Sequence, residues 1–301
     1  MKRILITGAS GFIGERLARL FLLKGYHVTG TGTSLIHPLS KKFREFDWVS
    51  ADTAIEGNWQ ECVDDANIII NLAGRNIFRY WTKKYKKAIY DSRILTTRNI
   101  VNAIEKGKTQ KLLTASAAGI YGDCKDDLLT ETRTPGKGFL ADVCKAWETE
   151  GLRAVAKGTS VSVMRFGVVL GNKGALPLMI PAFKLFAGGP LGTGLHWFPW
   201  IHVKDLEKAI EFIVENDGLD GVFNFTGPRP VRQKEFAGAL GRVLHRPAFM
   251  PAPSFLVKTV MGELGSALLQ SQRAIPENLM GAGYPFLFSN VDLALENLLG
   301  R

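Results

Sequence analysis

The residues with the clearest chemical potential are three glycines near the amino terminus. Gly8, Gly11 and Gly14 follow the apolar run Arg3–Thr7 and open a segment with helical periodicity. Gly8 permits a tight turn, Gly11 lets the backbone approach a ligand, and Gly14 lets the helix pack on the strand. Backbone amides at a helix start also attract phosphate groups. This pattern predicts a turn that holds the pyrophosphate of a dinucleotide cofactor.

The end of the second strand indicates which dinucleotide the site prefers. Sites selective for NAD(H) usually carry an acid there, which binds the ribose 2′-hydroxyl. Here the strand ends in Thr31-Gly32-Thr33-Ser34, and the first carboxylate after it is Glu45. Between Ser34 and Glu45 lie three basic residues, Lys41, Lys42 and Arg44. They could bind a 2′-phosphate or simply form a solvated surface. The pattern favours NADP(H) over NAD(H).

Further cofactor contacts are expected where other strands end. Asp52 follows the third strand and is a candidate either for the adenine amino group or for a helix N-cap. Small residues after the fourth strand would let the backbone lie along the ribose. The full set of predicted cofactor contacts is Gly8, Ser10, Gly11, Phe12, Ile13, Gly14, Thr31, Thr33, Ser34, Asp52, Leu72, Ala73 and Gly74.

The elements that position these residues alternate between short apolar runs and helical patterns. Such alternation predicts an α/β fold, a Rossmann doubly wound parallel sheet of about seven strands. The expected strands are Arg3–Thr7, Tyr26–Thr31, Phe46–Ser50, Ala66–Leu72, Lys111–Ser116, Thr159–Arg165 and Gly221–Phe225.

Glycine and proline become more frequent after about residue 170, and the tail from Pro251 is mostly helical in pattern. We therefore expect residues 1–170, with a strand near 221–226, to form the dinucleotide-binding domain. Residues 171–220 and 227–301 are expected to form substrate-side insertions and a small, mostly helical C-terminal subdomain.

Composition narrows the classes of function. The net charge of +10 raises the question of nucleic acid, but no helix-turn-helix, zinc-finger or aromatic RNA-binding pattern accompanies it. The three cysteines, Cys62, Cys124 and Cys144, form no CxxC pair, so we expect reduced thiols and no metal site. No apolar stretch approaches the roughly 20 residues of a spanning helix. We expect a cytoplasmic protein with a small-molecule substrate and no nucleic-acid or membrane partner, for which a homodimer is one candidate assembly.

Three motifs resemble the extended, atypical short-chain dehydrogenase/reductases: Gly8-Ala9-Ser10-Gly11-Phe12-Ile13-Gly14, Asn71-Leu72-Ala73-Gly74 and Ala115-Ser116-Ala117-Ala118-Gly119-Ile120-Tyr121-Gly122. Four later segments, RFGVVLG (165–171), GGPLGTGLHWFPWIHVKDL (188–206), FNFTGPRPVRQKEFA (223–237) and GYPFLF near the end, narrow the resemblance. They resemble the epimerase-like oxidoreductase family labelled NAD-dependent epimerase/dehydratase or nucleoside-diphosphate sugar epimerase, which has a C-terminal domain of unassigned function.

The resemblance implies a catalytic Tyr-x-x-x-Lys pair on one helix, with a serine or threonine on the preceding strand. If Lys145 is that lysine, the tyrosine position holds Ala141. Counting back four residues from Tyr121 gives Ala117, while Ser116 is one position away. The predicted catalytic residues are therefore Ser116, Tyr121 and Lys145, without the usual proton donor.

Other polar and aromatic residues are candidates for the substrate pocket. Histidine could supply the missing proton, and an indole ring can stack against a planar or sugar-like ligand. The alternative for His202 is a structural role, as a core residue in a buried strand that leads into a helix cap. The predicted pocket residues are Arg75, Arg93, Arg165, His196, Trp197, Trp200 and His202.

These observations predict an NADP(H)-binding, epimerase-like oxidoreductase that exchanges hydride with a small molecule and uses a non-standard proton donor. The alternative is a catalytically weak NADP(H) sensor or scaffold, which the absent tyrosine favours.

Overall fold

Parallel strands form the central sheet of the protein. The computed structural model describes residues 2–108 and 110–300. Numbered along the chain, the strands are β1 (Arg3–Thr7), β2 (His27–Gly32), β3 (Phe46–Ser50), β4 (Ile68–Asn71), β5 (Lys111–Ala117), β6 (Leu128–Leu129), β7 (Ser160–Phe166), β8 (Val168–Leu170), β9 (Trp197–Phe198), β10 (Trp200–His202), β11 (Gly221–Phe225), β12 (Val231–Arg232) and β13 (Arg273–Ala274).

Helices connect the strands and make up most of the C-terminal part. They are α1 (Phe12–Leu23), α2 (Glu61–Asp65), α3 (Lys83–Ala103), α4 (Phe139–Leu152), α5 (Leu176–Lys184), α6 (Val203–Glu215), α7 (Gln233–Leu244), α8 (Ser254–Met261), α9 (Glu263–Leu268), α10 (Glu277–Gly281) and α11 (Val291–Leu299).

The strand order confirms the predicted fold class. In the described chain the main sheet has seven strands in the order β3-β2-β1-β4-β5-β7-β11, and each adjacent pair is parallel. The order in which strands are added reverses between β1 and β4, because β2 and β3 extend the sheet on one side and β4 begins the other. This switch point is where doubly wound sheets bind their ligands. The expected strands β1, β3 and β11 have the predicted bounds, and the other four are shifted by one or two residues at an end.

The sheet is buried on both faces, as its apolar strands predict. Ile4, Ile6 and Ile70 face a core that includes α1 and α6, while Leu5 and Ile69 face the opposite core. This double cover explains why β4 lacks the alternation of polar and apolar residues seen in half-buried strands.

The C-terminal part packs against the sheet domain through a buried carboxylate. Asp205, in the first turn of α6, accepts hydrogen bonds from the backbone amides of Leu287 (2.8 Å) and Phe288 (2.9 Å). The Tyr284 hydroxyl donates to the backbone carbonyl of Asp205 over 3.0 Å. These contacts fix the segment before α11 against the amino-terminal end of α6. Within the described residues, no helix is both long and apolar enough to cross a membrane.

Candidate functional site

The glycine turn has the geometry that its spacing predicts. Gly8 has a φ of +71°, in the left-handed region that favours glycine. The amide of Gly11 donates to the carbonyl of Gly8 over 2.9 Å, which closes the turn. A Cβ on Gly14 would lie 2.3 Å from the Gly8 oxygen, so only a hydrogen side chain lets α1 pack this closely.

The start of α1 is open to a ligand. Ser10 and Gly11 are exposed, and Gly11 occupies the N-cap position without any side chain to occupy the first amides. The amide groups of the first helical turn, at Phe12 and Ile13, have no earlier helical carbonyl to bind. These residues therefore fit a cofactor pyrophosphate, which would be held by backbone amides and the helix dipole.

The end of β2 lies directly beside this turn. The Ala9 amide donates to the Thr31 carbonyl over 3.0 Å, and a Cβ on Gly32 would lie 2.8 Å from the Ser10 hydroxyl. The side chain of Thr31 is fully buried, because the alternating strand turns it beneath the turn. This burial does not favour the predicted side-chain contact of Thr31 with the cofactor. Thr33 and Ser34 are exposed beyond the strand end, where the adenosine ribose is expected.

An aromatic group that sequence reasoning missed supports this region. His37 packs against the rings of both Phe46 and Trp48, with ring centroids 5.1 and 4.8 Å away. Burial lowers the pKa of His37 below its usual value. The Trp48 indole donates to the Ser34 carbonyl over 2.9 Å and so holds the segment that carries the predicted hydroxyl contacts. The sequence signal for this group is that Phe46 and Trp48 alternate along β3, which places them on one face, while His37 lies on the segment just before that strand.

The remaining predicted contacts near the adenosine end are exposed. Lys41, Lys42 and Arg44 are on the surface of the segment between β2 and β3. Asp52 is also exposed, and its carboxylate accepts from the Ala54 amide over 3.1 Å. Asp52 thus caps a turn after β3. This is similar to the N-cap role that the sequence left open, but Asp52 does not cap α2, which begins at Glu61.

The end of β4 meets the glycine turn at the switch point. A Cβ on Gly8 would lie 3.0 Å from the Leu72 oxygen and 3.1 Å from the Ala73 Cα atom. Beneath them, buried Asn71 accepts from the Thr7 hydroxyl and donates to the Thr97 hydroxyl, both over 2.8 Å. The structure thus brings together two segments that the sequence predicted separately, and ties them to α3.

Next to this point lies the guanidinium of Arg93, a half-buried residue. Arg93 on α3 donates to the backbone carbonyls of Ile89 (3.1 Å) and Arg75 (3.0 Å). A Cβ on Gly74 would lie 3.0 Å from its central carbon, so the guanidinium stacks directly on the exposed backbone after β4. Burial lowers the pKa of Arg93 below its ordinary value. Arg93 and the exposed Arg75 therefore place two positive charges beside the predicted cofactor path.

Helix α4 turns a different face inward from the one that the resemblance suggested. Lys145 is exposed, whereas the Cys144 thiol lies against Ser116 and the backbone of Ala117. One turn earlier, the Leu140 side chain lies against Gly119. The inward positions at Tyr-x-x-x-Lys spacing are thus Leu140 and Cys144. Lys145, a predicted catalytic residue, lies on the exposed side of the helix, which favours a surface role.

Positive charge still reaches the inward face of α4. Burial raises the pKa of Cys144 to about 11, and the charge of Arg93 opposes this rise. Arg93 also lies over the Trp147 ring, 5.2 Å from its centroid. A cation from α3 therefore lies beside the position that the superfamily lysine would occupy.

Three predicted residues form one buried network away from the cleft surface. Arg165 pairs with Glu148 through two hydrogen bonds of 2.9 and 2.8 Å. The Ser116 hydroxyl donates to the same carboxylate over 2.6 Å. The Tyr121 hydroxyl accepts from Arg165 (3.0 Å) and donates to Asn224 (2.7 Å).

The burial of this network corrects the roles predicted for its members. Tyr121 is fully buried, and Ser116 and Arg165 are 2% and 5% exposed. Their polar groups are used within the protein, and burial raises the pKa of Tyr121. This geometry favours structural roles for Ser116, Tyr121 and Arg165, in place of the catalytic and substrate contacts predicted.

Of the four predicted histidine and tryptophan pocket residues, two lie in the core and two are partly exposed. Trp200 and His202 are buried in β10, and the ring of His202 stacks on Phe288. The His202 Nδ1 atom accepts from the Lys204 amide over 3.0 Å and so caps α6. The alternative of a core histidine at a helix cap is therefore correct for His202, and Trp200 is a core residue.

His196 and Trp197 are both partly exposed. Burial lowers the pKa of His196, and its Nε2 atom has no hydrogen-bond partner among residues 2–108 and 110–300. The Trp197 indole donates to Asp126 over 2.9 Å, and its ring lies under Arg232, 4.1 Å from the centroid. Both rings thus reach the surface in part, while the Nε2 atom of His196 is itself buried.

Comparison with known proteins agrees with the predicted family and fold class. Residues 4–225 match the model of the NAD dependent epimerase/dehydratase family, and residues 252–298 match a domain of unknown function, DUF1731. Epimerase family protein YfhF of Bacillus subtilis (strain 168) is 39% identical over 299 residues, covering 98% of this chain and 97% of that protein. The chloroplastic SDR39U1 homolog of Arabidopsis thaliana is 38% identical over 299 residues, covering 98% and 86%.

Solved structures show the same likeness. The crystal structure of human epimerase family protein SDR39U1 (isoform 2) with NADPH superimposes with a TM-score of 0.86 at 30% identity, covering 99% of both chains. UDP-glucuronic acid 4-epimerase from Bacillus cereus, in complex with UDP-glucuronic acid and NAD, has a TM-score of 0.79 at 18% identity, covering 99% and 98%, and shows the fold alone. This chain belongs to the NAD dependent epimerase/dehydratase family.

Proposed function

We propose that the protein is an NADP(H)-dependent oxidoreductase that exchanges hydride with a small-molecule substrate. The observation that carries the proposal is the glycine turn. Its closed geometry, exposed helix start and contact with the end of β4 fit a dinucleotide. A relative of this family was crystallised with NADPH, which supports the same cofactor here.

The chain's own residues would bind and orient the cofactor. The amides at the start of α1 would hold the pyrophosphate, and the backbone of Leu72-Ala73-Gly74 would border the ribose. Arg93, beneath Gly74, would place positive charge beside them. When bound, the nicotinamide would donate a hydride to a substrate carbonyl carbon, or accept one from the carbon of the corresponding alcohol.

Proton transfer in this proposal depends on a group other than tyrosine. The inward face of α4 offers Leu140 and Cys144, and burial raises the pKa of that thiol to about 11. We propose His196 as the group that exchanges the proton with the substrate oxygen. Its ring is partly exposed, whereas His202 is fully buried at a helix cap. The Nε2 atom of His196 is itself buried without a hydrogen-bond partner in the described part of the chain, so the ring would have to turn to present this nitrogen to a substrate.

The preference for NADP(H) over NAD(H) rests on the end of β2. Thr33 and Ser34 are exposed there, with basic residues on the segment that follows. We expect Ser34→Glu to weaken NADPH binding by about tenfold or more, because a carboxylate would repel the 2′-phosphate. Binding of NADH, which has a 2′-hydroxyl, should change little or improve.

The test is titration of both cofactors into the wild type, Ser34→Glu and Thr149→Glu. Thr149 is exposed on the outer side of α4, so this control adds the same charge away from β2. An equal loss of NADPH affinity in both variants would contradict the assignment of Ser34.

The inward residues of α4 also favour a second candidate function, an NADP(H) sensor or scaffold with little catalysis. Leu140 and Cys144 occupy the inward positions at the spacing of the superfamily pair, and neither is a standard proton donor. NADPH consumption with a panel of carbonyl compounds, reduced in His196→Asn, would support the enzyme. Tight NADPH binding without turnover on any panel member would support the sensor.

A small-molecule partner without nucleic acid or membrane, a cytoplasmic location and a homodimer remain proposals. The domain boundaries also remain a proposal. In it, residues 1–170 and the strand near 221–226 form the dinucleotide-binding domain, and residues 171–220 and 227–301 form the substrate-side part.

A further inference from the structure

A cavity of about 480 Å³ lies among the helices of the C-terminal part. This volume falls within the range of small-molecule sites, about 300 to 1,000 Å³. Its walls come from α5, α7, α8 and α9 and from the loop that contains Phe78–Tyr80.

The lining of the cavity is almost entirely apolar. Leu178, Met179, Phe183, Phe236, Leu264 and Leu268 represent its aliphatic and aromatic walls. Among the lining side chains of the described residues, Arg79 is the one charged group. A sugar nucleotide carries a pyrophosphate, which proteins bind with several cations or backbone amides at a helix start. This wall offers a poor match to such a ligand.

Two neutral polar side chains belong to the lining, Tyr80, which is 65% exposed, and the buried Gln233. The Gln233 side-chain carbonyl accepts from the Leu191 amide over 2.8 Å, which fixes the orientation of the side chain. Its amide nitrogen makes no hydrogen bond with any described residue, so it can donate to a ligand oxygen. A buried, oriented donor in a mostly apolar wall suits a carbonyl or hydroxyl oxygen on a hydrophobic molecule.

The cavity also adjoins the cofactor segments. The Phe12 ring of the glycine turn packs on the chain just before α5, where a Cβ on Gly171 would lie 2.4 Å from it. Ala175, next to this contact, lines the cavity. Phe78–Tyr80 belong to the loop that continues from Gly74 at the end of β4. Two cavity walls thus extend from segments proposed to hold the cofactor.

Exposed apolar side chains lie on the same elements as the lining. Leu185, just after α5, is 77% exposed, and Phe255 on α8 is 73% exposed. Phe249, adjacent to the lining residue Met250, is 74% exposed. Exposed apolar groups of this size, next to an apolar cavity, mark a surface that receives apolar ligands.

We propose that this cavity binds the apolar body of the substrate, which is a neutral, mostly hydrocarbon carbonyl compound or alcohol and not a sugar nucleotide. Gln233 orients the oxygen-bearing part or a second polar group of that molecule. The inference rests on the proposed oxidoreductase function for the role of substrate, but the ligand class is set by the cavity itself.

The test is binding of the neutral dye nile red to the full chain loaded with NADPH, followed by displacement with decanal or with UDP-glucose. We expect saturable binding of the dye, displacement by decanal and no displacement by UDP-glucose. Ala182→Trp, on an exposed part of α5 that lines the cavity, should weaken dye binding by about tenfold or more.

Two further variants make the result specific to the cavity. Ala156→Trp makes the same change on an exposed residue outside the cavity and should leave dye binding unchanged. Leu178→Lys places a charge on a lining residue that is 62% exposed, so it should weaken binding without unfolding the protein. Thermal melting of each variant reports folding.

Displacement by UDP-glucose, absence of dye binding, or equal effects of Ala182→Trp and Ala156→Trp would each overturn the proposal. NADPH affinity is measured in the same samples. A protein that binds the dye as expected but binds no NADPH would contradict the proposed function while leaving the apolar ligand class supported.

Discussion

At the scale of single residues, backbone packing around glycine was predictable and side-chain chemistry was less so. Gly8 and Gly14 have the conformation and the close contacts that their spacing implies. Tyr121 and Arg165 matched polar positions in the pattern, yet they are buried. Their partners lie far along the chain, since Asn224 is 103 residues from Tyr121. No local pattern encodes such a partner.

The close packing of Gly14 gives a direct prediction. Gly14→Ala would place a Cβ 2.3 Å from the Gly8 oxygen and 2.7 Å from the Ala9 Cα atom, so the backbone of the turn must shift. We expect a loss of about 1 to 3 kcal/mol in the free energy of unfolding, as for other overpacked sites. NADPH affinity should fall with it.

Denaturant unfolding and NADPH titration measure the two effects. Gly281→Ala is the matched control, because it lies in helix α10 with no atom within 4 Å of the added carbon. Alanine there should be neutral or stabilise by up to about 1 kcal/mol. Unchanged stability and NADPH affinity in Gly14→Ala would refute the packing argument.

At the scale of elements, the sequence predicted which segments form strands but not how each helix is rotated. Strand ends were placed within two residues because apolar runs and turn residues mark them. For α4, the one-residue difference between Cys144 and Lys145 decides which side chain faces Ser116. A helix rotates by about 100° per residue, so an error of one position changes the face.

The cap of α6 makes stability depend on pH. Burial, with the nearby charges of Lys204 and Arg16, lowers the pKa of His202 to about 4. The unfolded chain therefore binds a proton at this site below about pH 6.5, while the folded protein stays neutral there until about pH 4. The contribution of His202 to stability is complete above pH 6.5 and falls by about 1.4 kcal/mol per pH unit between 6.5 and 4.

We expect His202→Asn to flatten this dependence, since asparagine can accept from the Lys204 amide but does not titrate. Melting temperatures of the two proteins from pH 4 to 8 provide the measurement. Parallel curves across the interval would show that His202 does not carry the effect.

At the scale of the whole molecule, the sequence predicted a sheet domain with a helical C-terminal part but not the contact that joins them. The helical tail followed from its composition, and α8 to α11 lie there. The junction depends on Asp205, which is 1% exposed and binds backbone amides 82 and 83 residues away. That pairing exists only in the folded chain.

Asp205→Ala should therefore destabilise the whole molecule. It would leave the buried amides of Leu287 and Phe288 without their acceptor, at a cost of about 1 to 3 kcal/mol for an unsatisfied group. Thermal unfolding of Asp205→Ala and of Asp220→Ala, an exposed control, measures the difference. A melting temperature equal to that of the control would contradict the anchoring role.

The central claim is that the glycine turn and the end of β2 bind NADP(H). Calorimetric titration of the full chain with NADPH and with NADH tests it most directly. We expect one NADPH site per chain, with an affinity about tenfold or more above that for NADH, and loss of that affinity in Gly14→Ala. Absence of NADPH binding, or tighter binding of NADH, would contradict it.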